Sequence, residues 1–178
     1  VFNCMESLLP EYSAFGAVRQ PAGSALPGIA PSNAYPCADG RVVIGGNGDS
    51  IFKRLMIAIG RDDLATDPAL VGNPGRVARV DESEVAIGAL TQARTVEQVL
   101  AVLKAARVPV GRIYTAADIA ADPHFQAREM ILPVTTKDGL TVQVPGIVPK
   151  LSRTPGAITR GAPTLGEDTE AVLSRLRP

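Results

Sequence analysis

Residues 42–60 read VVIGGNGDSIFKRLMIAIG. Val42-Val43-Ile44 is a β-branched run suited to a strand. From Ile51 onward, Ile51, Phe52, Leu55, Met56 and Ile59 fall on one helical face, with Lys53 and Arg54 on the other. Gly60 stands where such a helix would close. Strand, glycine turn and helix in succession is the layout that cradles phosphates. The turn Gly45-Gly46-Asn47-Gly48-Asp49 matches that role poorly. A Walker loop needs Lys and Ser/Thr after its last Gly, whereas Asp49 places a negative charge where phosphates would sit. A dinucleotide fingerprint needs a third Gly at the position held by Ile51. The turn is therefore expected to be structural, its glycines supplying positive φ and Asp49 capping the helix.

Outward from this stretch, NAYPCADGRVVIGG reads as a hairpin around Asp39-Gly40. Residues 19–36 are rich in Gly, Pro and Ser without a period, a loop of the length that is often functional or a linker. Val1 to about Phe15 has helical spacing that Pro10 is expected to end or kink. Downstream, 61–82 is a charged stretch broken by two prolines, and helical spacing resumes over 76–92. Thr95-Val96-Glu97-Gln98 is a capping box before the stripe Val96, Val99, Leu100 and Leu103. Residues 107–114 are a short extended piece. Thr115 caps a short helix over 116–121, and Asp122-Pro123 opens another turn through about Glu129. A second hairpin spans 130–146 around Lys137-Asp138-Gly139. Residues 147–168 carry no period, and a last short helix runs from Glu167 to Leu176. This order suits an α+β arrangement.

Composition narrows the function classes. The 178 residues are 46% hydrophobic but only 4% aromatic, with no Trp, so the core must come from Val, Ile, Leu and Ala. Lys+Arg and Asp+Glu are 18 each. That balance argues against a dedicated nucleic-acid binder, which needs surplus cations to displace counterions. Cys4 and Cys37 lack zinc-ligand spacing and read as reduced thiols of a cytoplasmic-type protein. No apolar run approaches the roughly 20 residues of a membrane span. The opening VFNCMESLLPEY reads as the middle of an amphipathic helix, so the chain is expected to be a fragment of a longer one.

No complete catalytic set is visible. His124 is the only His, placed at the start of a short helix and read as a surface or capping residue. The carboxylates at 61–63 and 81–84 read as solvated faces, and no D-x-D-x-D-G metal loop is present. Arg76, Arg79, Arg107 and Arg112 could bind an anion, although an exposed helix face accounts for the first two.

Four stretches taken together carry a family resemblance: NAYPCADGRVVIGGNGDSIFKRL (33–55), VPVGRIYTAADIAADPHFQARE (108–129), VPGIVPKLSRTPG (144–156) and APTLGEDTEAVL (162–173). In this order and spacing the chain resembles the C-terminal half of family III CoA-transferases, the group of the formyl-CoA, carnitine-CoA and bile-acid CoA transferases. The resemblance implies an α+β small lobe of a two-lobed enzyme, with flanking helices belonging to a Rossmann-like large lobe. The end of a large-lobe helix would occupy 1–18, a linker and lid loop 19–32, the small lobe 33–125, a return hairpin and linker 126–164, and a C-terminal large-lobe helix 165–178. Two subunits would interlock as a homodimer in the cytoplasm. An acyl-CoA and a small carboxylic acid would be the substrates, the CoA thioester itself being substrate rather than a permanently bound cofactor. Neither nucleic acid, membrane nor metal is implied.

In that family an aspartate nucleophile attacks the acyl-CoA thioester. It lies upstream of the segment matched here, so no residue of 1–178 is assigned as catalytic. The lid register falls on Pro27-Gly28-Ile29-Ala30-Pro31, which has one glycine where the formyl-CoA enzyme has a run, implying a less mobile lid or a different acyl group. Backbone N–H groups at Gly28 to Ala30 are candidate oxyanion donors. Gly45, Gly46 and Asn47 are expected to line the same cleft. Glu167-Asp168 departs from the Glu-His that relatives often carry. The alternatives are an acyl-CoA racemase or epimerase of the same family, a non-catalytic assembly lobe, and a nucleotide-binding domain using the glycine turn.

Overall fold

The computed structural model describes residues 7–176; the helical reading of residues 1–6 lies outside them. Contacts gather into two units, one ending at Ile113 and one beginning at Tyr114.

In the first unit, helix α1 (Leu8–Phe15) contains no buried residue. Pro10 neither ends nor kinks it. It sits in the first turn, where its missing N–H would have had no acceptor within the helix. Strands β1 (Ser32–Cys37), β2 (Gly40–Gly45) and β3 (Val110–Arg112) form an antiparallel sheet in that order. Cys37 pairs with Gly40 across the Ala38-Asp39 turn, and Val43 pairs with Gly111. Strand alternation sends Val42 and Ile44 into the core while Arg41 and Val43 face outward.

Helix α2 (Asp49–Ala58) buries Phe52, Leu55 and Met56 on the face expected. It ends at Gly60, φ +75°, where Gly60 N–H donates to Ile57 O and Arg61 N–H to Met56 O. These paired bonds satisfy two terminal carbonyls and require left-handed backbone at Gly60. Short α3 (Asp62–Thr66) and a 3-10 turn at Pro68–Leu70 lead to α4 (Asn73–Ala78) and α5 (Val80–Gln92). The helical stretch expected over 76–92 is thus divided at Arg79, φ −123°. Helix α6 (Val96–Ala105) starts with the expected capping box and buries Val96, Val99, Leu100 and Leu103. Asp39 Oδ1 also accepts the Val96 N–H at 2.7 Å, fastening the hairpin turn to this helix. Sheet, α2, α5 and α6 enclose one core running from Tyr35 to Val108.

In the second unit, α7 (Ala116–Ala121) carries a Thr115/Asp118 capping box. Asp122 caps α8 (Pro123–Ala127) through the His124 and Phe125 N–H groups. Strands β4 (Ile131–Thr135) and β5 (Thr141–Pro145) form a hairpin turning at Gly139, φ +88°. The final helix α9 is shorter than expected, Thr169–Ser174. Glu167 turns back instead, accepting the Thr164 N–H at 2.8 Å. No described helix is long and apolar enough to cross a membrane.

Candidate functional site

The loop before β1 folds on itself. Leu26 N–H donates to Ser32 O at 3.1 Å, and Ile29 N–H to Leu26 O at 3.3 Å. Ser24 Oγ donates to Asn33 Oδ1 at 2.7 Å. Gly28 has φ +79° with open space where a Cβ would stand. Backbone conformation, rather than crowding, makes glycine the fitting residue there.

Asn73, the first residue of α4, spans the tip of this loop. Its Nδ2 donates to Gly28 O at 2.9 Å, and its Oδ1 accepts the Ala30 N–H at 3.1 Å. Ala30 and Pro31 are buried, and the Pro31 carbonyl accepts the Gly46 N–H at 2.9 Å. The loop residues Gly28–Pro31 and the glycine turn are therefore adjacent.

The turn is built differently from the sequence expectation. None of Gly45, Gly46 and Gly48 has positive φ. Gly46 is needed for close approach: a Cβ there would meet Leu55 Cδ2 at 2.6 Å and Pro31 Cγ at 2.9 Å. Gly48 is the N-cap of α2 and Asp49 its first residue, with no side-chain cap bond. The Asp49 carboxylate instead meets the Arg76 guanidinium at 2.8 Å. The Gly45 and Gly46 N–H groups are taken by Pro109 O and Pro31 O. Two of the turn's donors are thus closed to a phosphate, and a carboxylate stands at the helix entrance.

Arg76 organises the whole arrangement. It is 1% exposed, contrary to the exposed helix face expected of it. Its Nε donates to Ala30 O at 3.1 Å, and its Nη2 to Asn47 O at 2.7 Å. Nη1 donates to Leu70 O at 3.1 Å and Val71 O at 3.0 Å. The guanidinium lies 5.2 Å from the centre of the Phe52 ring, within cation–π range. A planar cation with five donors can join several carbonyls that a Lys ammonium could not reach together. Sequence reasoning missed this role, and that of Asn73, because α4 is too short to show a period. The only signal was a charge following Pro74-Gly75.

Beside this hub, a cavity of about 430 Å³ is lined by Asp49, Phe52, Lys53, Leu64, Leu70 and Val71 among others. Its apolar wall and polar rim could take a small organic group. The remaining candidates lie in structural roles. Arg79 is paired with Asp67 and Glu82, and Arg112 with Glu97. Arg107 ends α6 with φ +55°, its carbonyl accepting from Arg54. Glu84 accepts from Tyr35 Oη at 2.7 Å and Asn33 Nδ2 at 3.0 Å. Burial, then the bond to Glu84, pushes the Tyr35 phenol far above its ordinary range. Burial, then nearby Asp39, raises the Cys37 thiol, opposite to an activated nucleophile. His124 sits on α8 edge-on to Phe125. Asp122 is lowered chiefly by the Tyr114 hydroxyl that donates to it, with its two capping bonds contributing. Among the described residues no metal-ligand cluster occurs.

Comparison with known proteins gives the arrangement a family. The profile described as CoA-transferase family III matches residues 1–169. The chain is 41% identical over 99% of its length to the succinyl-CoA–D-citramalate CoA-transferase of Chloroflexus aurantiacus, covering 44% of that protein. It is 33% identical to the beta subunit of the succinyl-CoA–L-malate CoA-transferase of the same organism, again over 99% of this chain and 44% of the relative. The crystal structure of a CaiB/BaiF family protein from Brucella suis superposes with a TM-score of 0.76 at 28% identity, over 98% of this chain and 45% of that one. The chain thus spans less than half the length of these relatives. The small antiparallel sheets with their helices match that structure, and the profile match extends over most of the sequence: the chain belongs to CoA-transferase family III.

Proposed function

We propose that this chain is the C-terminal part of an acyl-CoA:carboxylate CoA-transferase that moves CoA from succinyl-CoA to a small dicarboxylic acid. The observation that carries the reading is the 41% identity, across nearly every residue, to a protein named for such a transfer. The adjacency of the Gly28–Pro31 loop and the glycine turn supports it, because both were expected at one acyl-CoA cleft.

The reaction would proceed by covalent catalysis. An aspartate outside residues 1–178 attacks the thioester carbonyl, the C–S bond breaks, and CoA leaves as thiolate with an acyl-aspartyl anhydride behind. The thiolate attacks the aspartyl carbonyl, releasing the donor acid and forming an aspartyl-CoA thioester. The acceptor carboxylate then displaces CoA from it, forming a second anhydride. Return of the thiolate to the acceptor's carbonyl frees the aspartate and the new acyl-CoA. Within this chain, the Ile29 and Ala30 N–H groups are engaged by Leu26 O and Asn73 Oδ1, which leaves the Gly28 N–H as the loop donor for a developing oxyanion. In the complete protein, residues 33–125 form the small lobe, 19–32 and 126–164 carry the chain to and from it, and the flanking helices join a Rossmann-like lobe. Two such subunits interlock as a cytoplasmic homodimer.

The test is exchange of labelled CoA into succinyl-CoA, run on this chain and on a version extended upstream. Exchange only by the extended version is the expected result. Exchange by residues 1–178 alone would place the nucleophile within them, with Asp49 the first carboxylate to replace. Silence in both, with epimerisation of a chiral 2-methylacyl-CoA, would replace the proposal with a racemase of the same family.

A further inference from the structure

We propose that Asn73 is a positioning residue that latches the tip of the 27–31 loop in one shape and thereby sets the acyl selectivity of the enzyme; the selectivity rests on the transferase reading above, the latch does not. Asn is a favoured N-cap residue, yet Asn73 stands one position inside α4, after the N-cap Gly72, and makes no cap bond. Both functional ends of its amide are turned to the loop instead, Nδ2 to Gly28 O and Oδ1 to the Ala30 N–H. Donating and accepting on opposite sides of a single residue, Ile29, fixes the backbone on both flanks. The loop's base is held by other means: Arg76 Nε donates to Ala30 O, and Gly46 N–H to Pro31 O. Among the described residues, the further hydrogen bond that fastens the tip is the 3.3 Å bond from Ile29 N–H to Leu26 O. Removing the amide therefore frees the tip and leaves the base in place.

That separation has a chemical consequence. Ile29 is partly exposed at 37%, and Gly28 beside it has open space where a Cβ would stand. On the transferase reading, the closed latch would present the Gly28 N–H and the Ile29 side chain to an incoming acyl group from fixed positions. Preorganised donors and walls discriminate between ligands, and loose ones accommodate them.

Two variants separate the parts of the latch. Asn73→Ala removes both bonds. Asn73→Asp keeps an acceptor for the Ala30 N–H and loses the donor to Gly28 O. Hydrogen exchange is measured on the full-length protein, with the Val99 amide in α6 as an internal reference for global stability. In Asn73→Ala the Ala30 amide should exchange about fivefold faster, the worth of one neutral hydrogen bond, with Val99 unchanged; in Asn73→Asp the Ala30 amide should stay protected. The ratio of kcat/KM for succinyl-CoA over a bulkier acyl-CoA should fall by a similar factor in Asn73→Ala, through a lowered KM for the bulkier donor. Unchanged Ala30 exchange in Asn73→Ala overturns the latch. A faster Ala30 amide with unaltered selectivity overturns the positioning role. Absence of CoA transfer by the wild type removes the functional reading and the selectivity with it, while the Ala30 amide still decides the latch.

Discussion

Arg76 and Gly46 show how single residues carry this site. A guanidinium at 1% exposure would be costly alone, since taking a cation out of water is offset only by close partners. Four carbonyls, one carboxylate and the Phe52 ring supply them. Arg76→Met should therefore cost about 3 kcal/mol or more, the range for breaking a buried charged network. Asp49 is 66% exposed, so water screens its half of the pair, and Asp49→Asn should cost only about 1 kcal/mol. Urea denaturation of both variants checks the order; equal losses would mean that the ion pair, rather than the carbonyl bonds, holds the hub. Gly46→Ala drives a methyl into Leu55 and Pro31, and overpacking of that kind costs about 1–3 kcal/mol. Gly28→Ala meets open space and should cost only the left-handed backbone strain of about 1–2 kcal/mol. The turn's three glycines and Asp49 were legible in the sequence as a turn that is not a phosphate cradle. Their reasons were not, because close approach between Gly46 and Leu55 is a tertiary fact without a local signature.

At the scale of elements, two helices end alike and only one ending could be read. Helix α2 closes at Gly60, and the glycine announces it. Helix α6 closes at Arg107 with the same pair of bonds, Arg107 N–H to Lys104 O and Val108 N–H to Leu103 O. Arg107 has φ +55°, so a residue with a Cβ occupies backbone that favours glycine. Arg107→Gly should raise stability by up to about 1 kcal/mol, relief of the strain outweighing glycine's greater freedom when unfolded. A thermal melt of the variant measures it; a lower Tm would show that the Arg side chain contributes more than its backbone costs. The starts of helices were more legible than their ends. Thr95, Thr115 and Asp122 each signal an N-terminus by side-chain chemistry, and each caps as expected. The hairpins were legible from Asp39-Gly40 and Asp138-Gly139 because alternation and turn residues are both local. The pairing of β3 with β2 links positions far apart in sequence, and no local pattern announces it.

For the whole molecule, burial is distributed unevenly. Every buried side chain among the described residues belongs to the first unit, from Ala30 to Val108. The second unit, Tyr114 onward, holds a two-stranded hairpin, three short helices and extended chain, with no buried residue among those described. Several of its apolar side chains face outward, Leu165 fully so, with Leu140, Val148 and Leu176 more than half exposed, and those of the hairpin are at most partly buried. The short α1 repeats this on a smaller scale, with Leu9, Tyr12 and Phe15 exposed. Folding must offset about 1–2 kcal/mol of backbone entropy per ordered residue, and burial of apolar surface is the main term that does so. Unit 1 has that term in full; unit 2 has only partly buried apolar side chains, and an isolated two-stranded hairpin is marginal in water. Residues 1–113 expressed alone should melt in one cooperative transition. Residues 114–178 alone should show no cooperative transition and no dispersed amide spectrum. A sharp melt from the second fragment would mean that its ion pairs, Arg160 with Asp168 and Lys137 with Glu167, stabilise it far beyond what exposed pairs ordinarily contribute. A broad, non-cooperative melt from the first would mean that the core around Val42, Leu55 and Leu103 does not suffice by itself, and that the folding unit extends past Ile113.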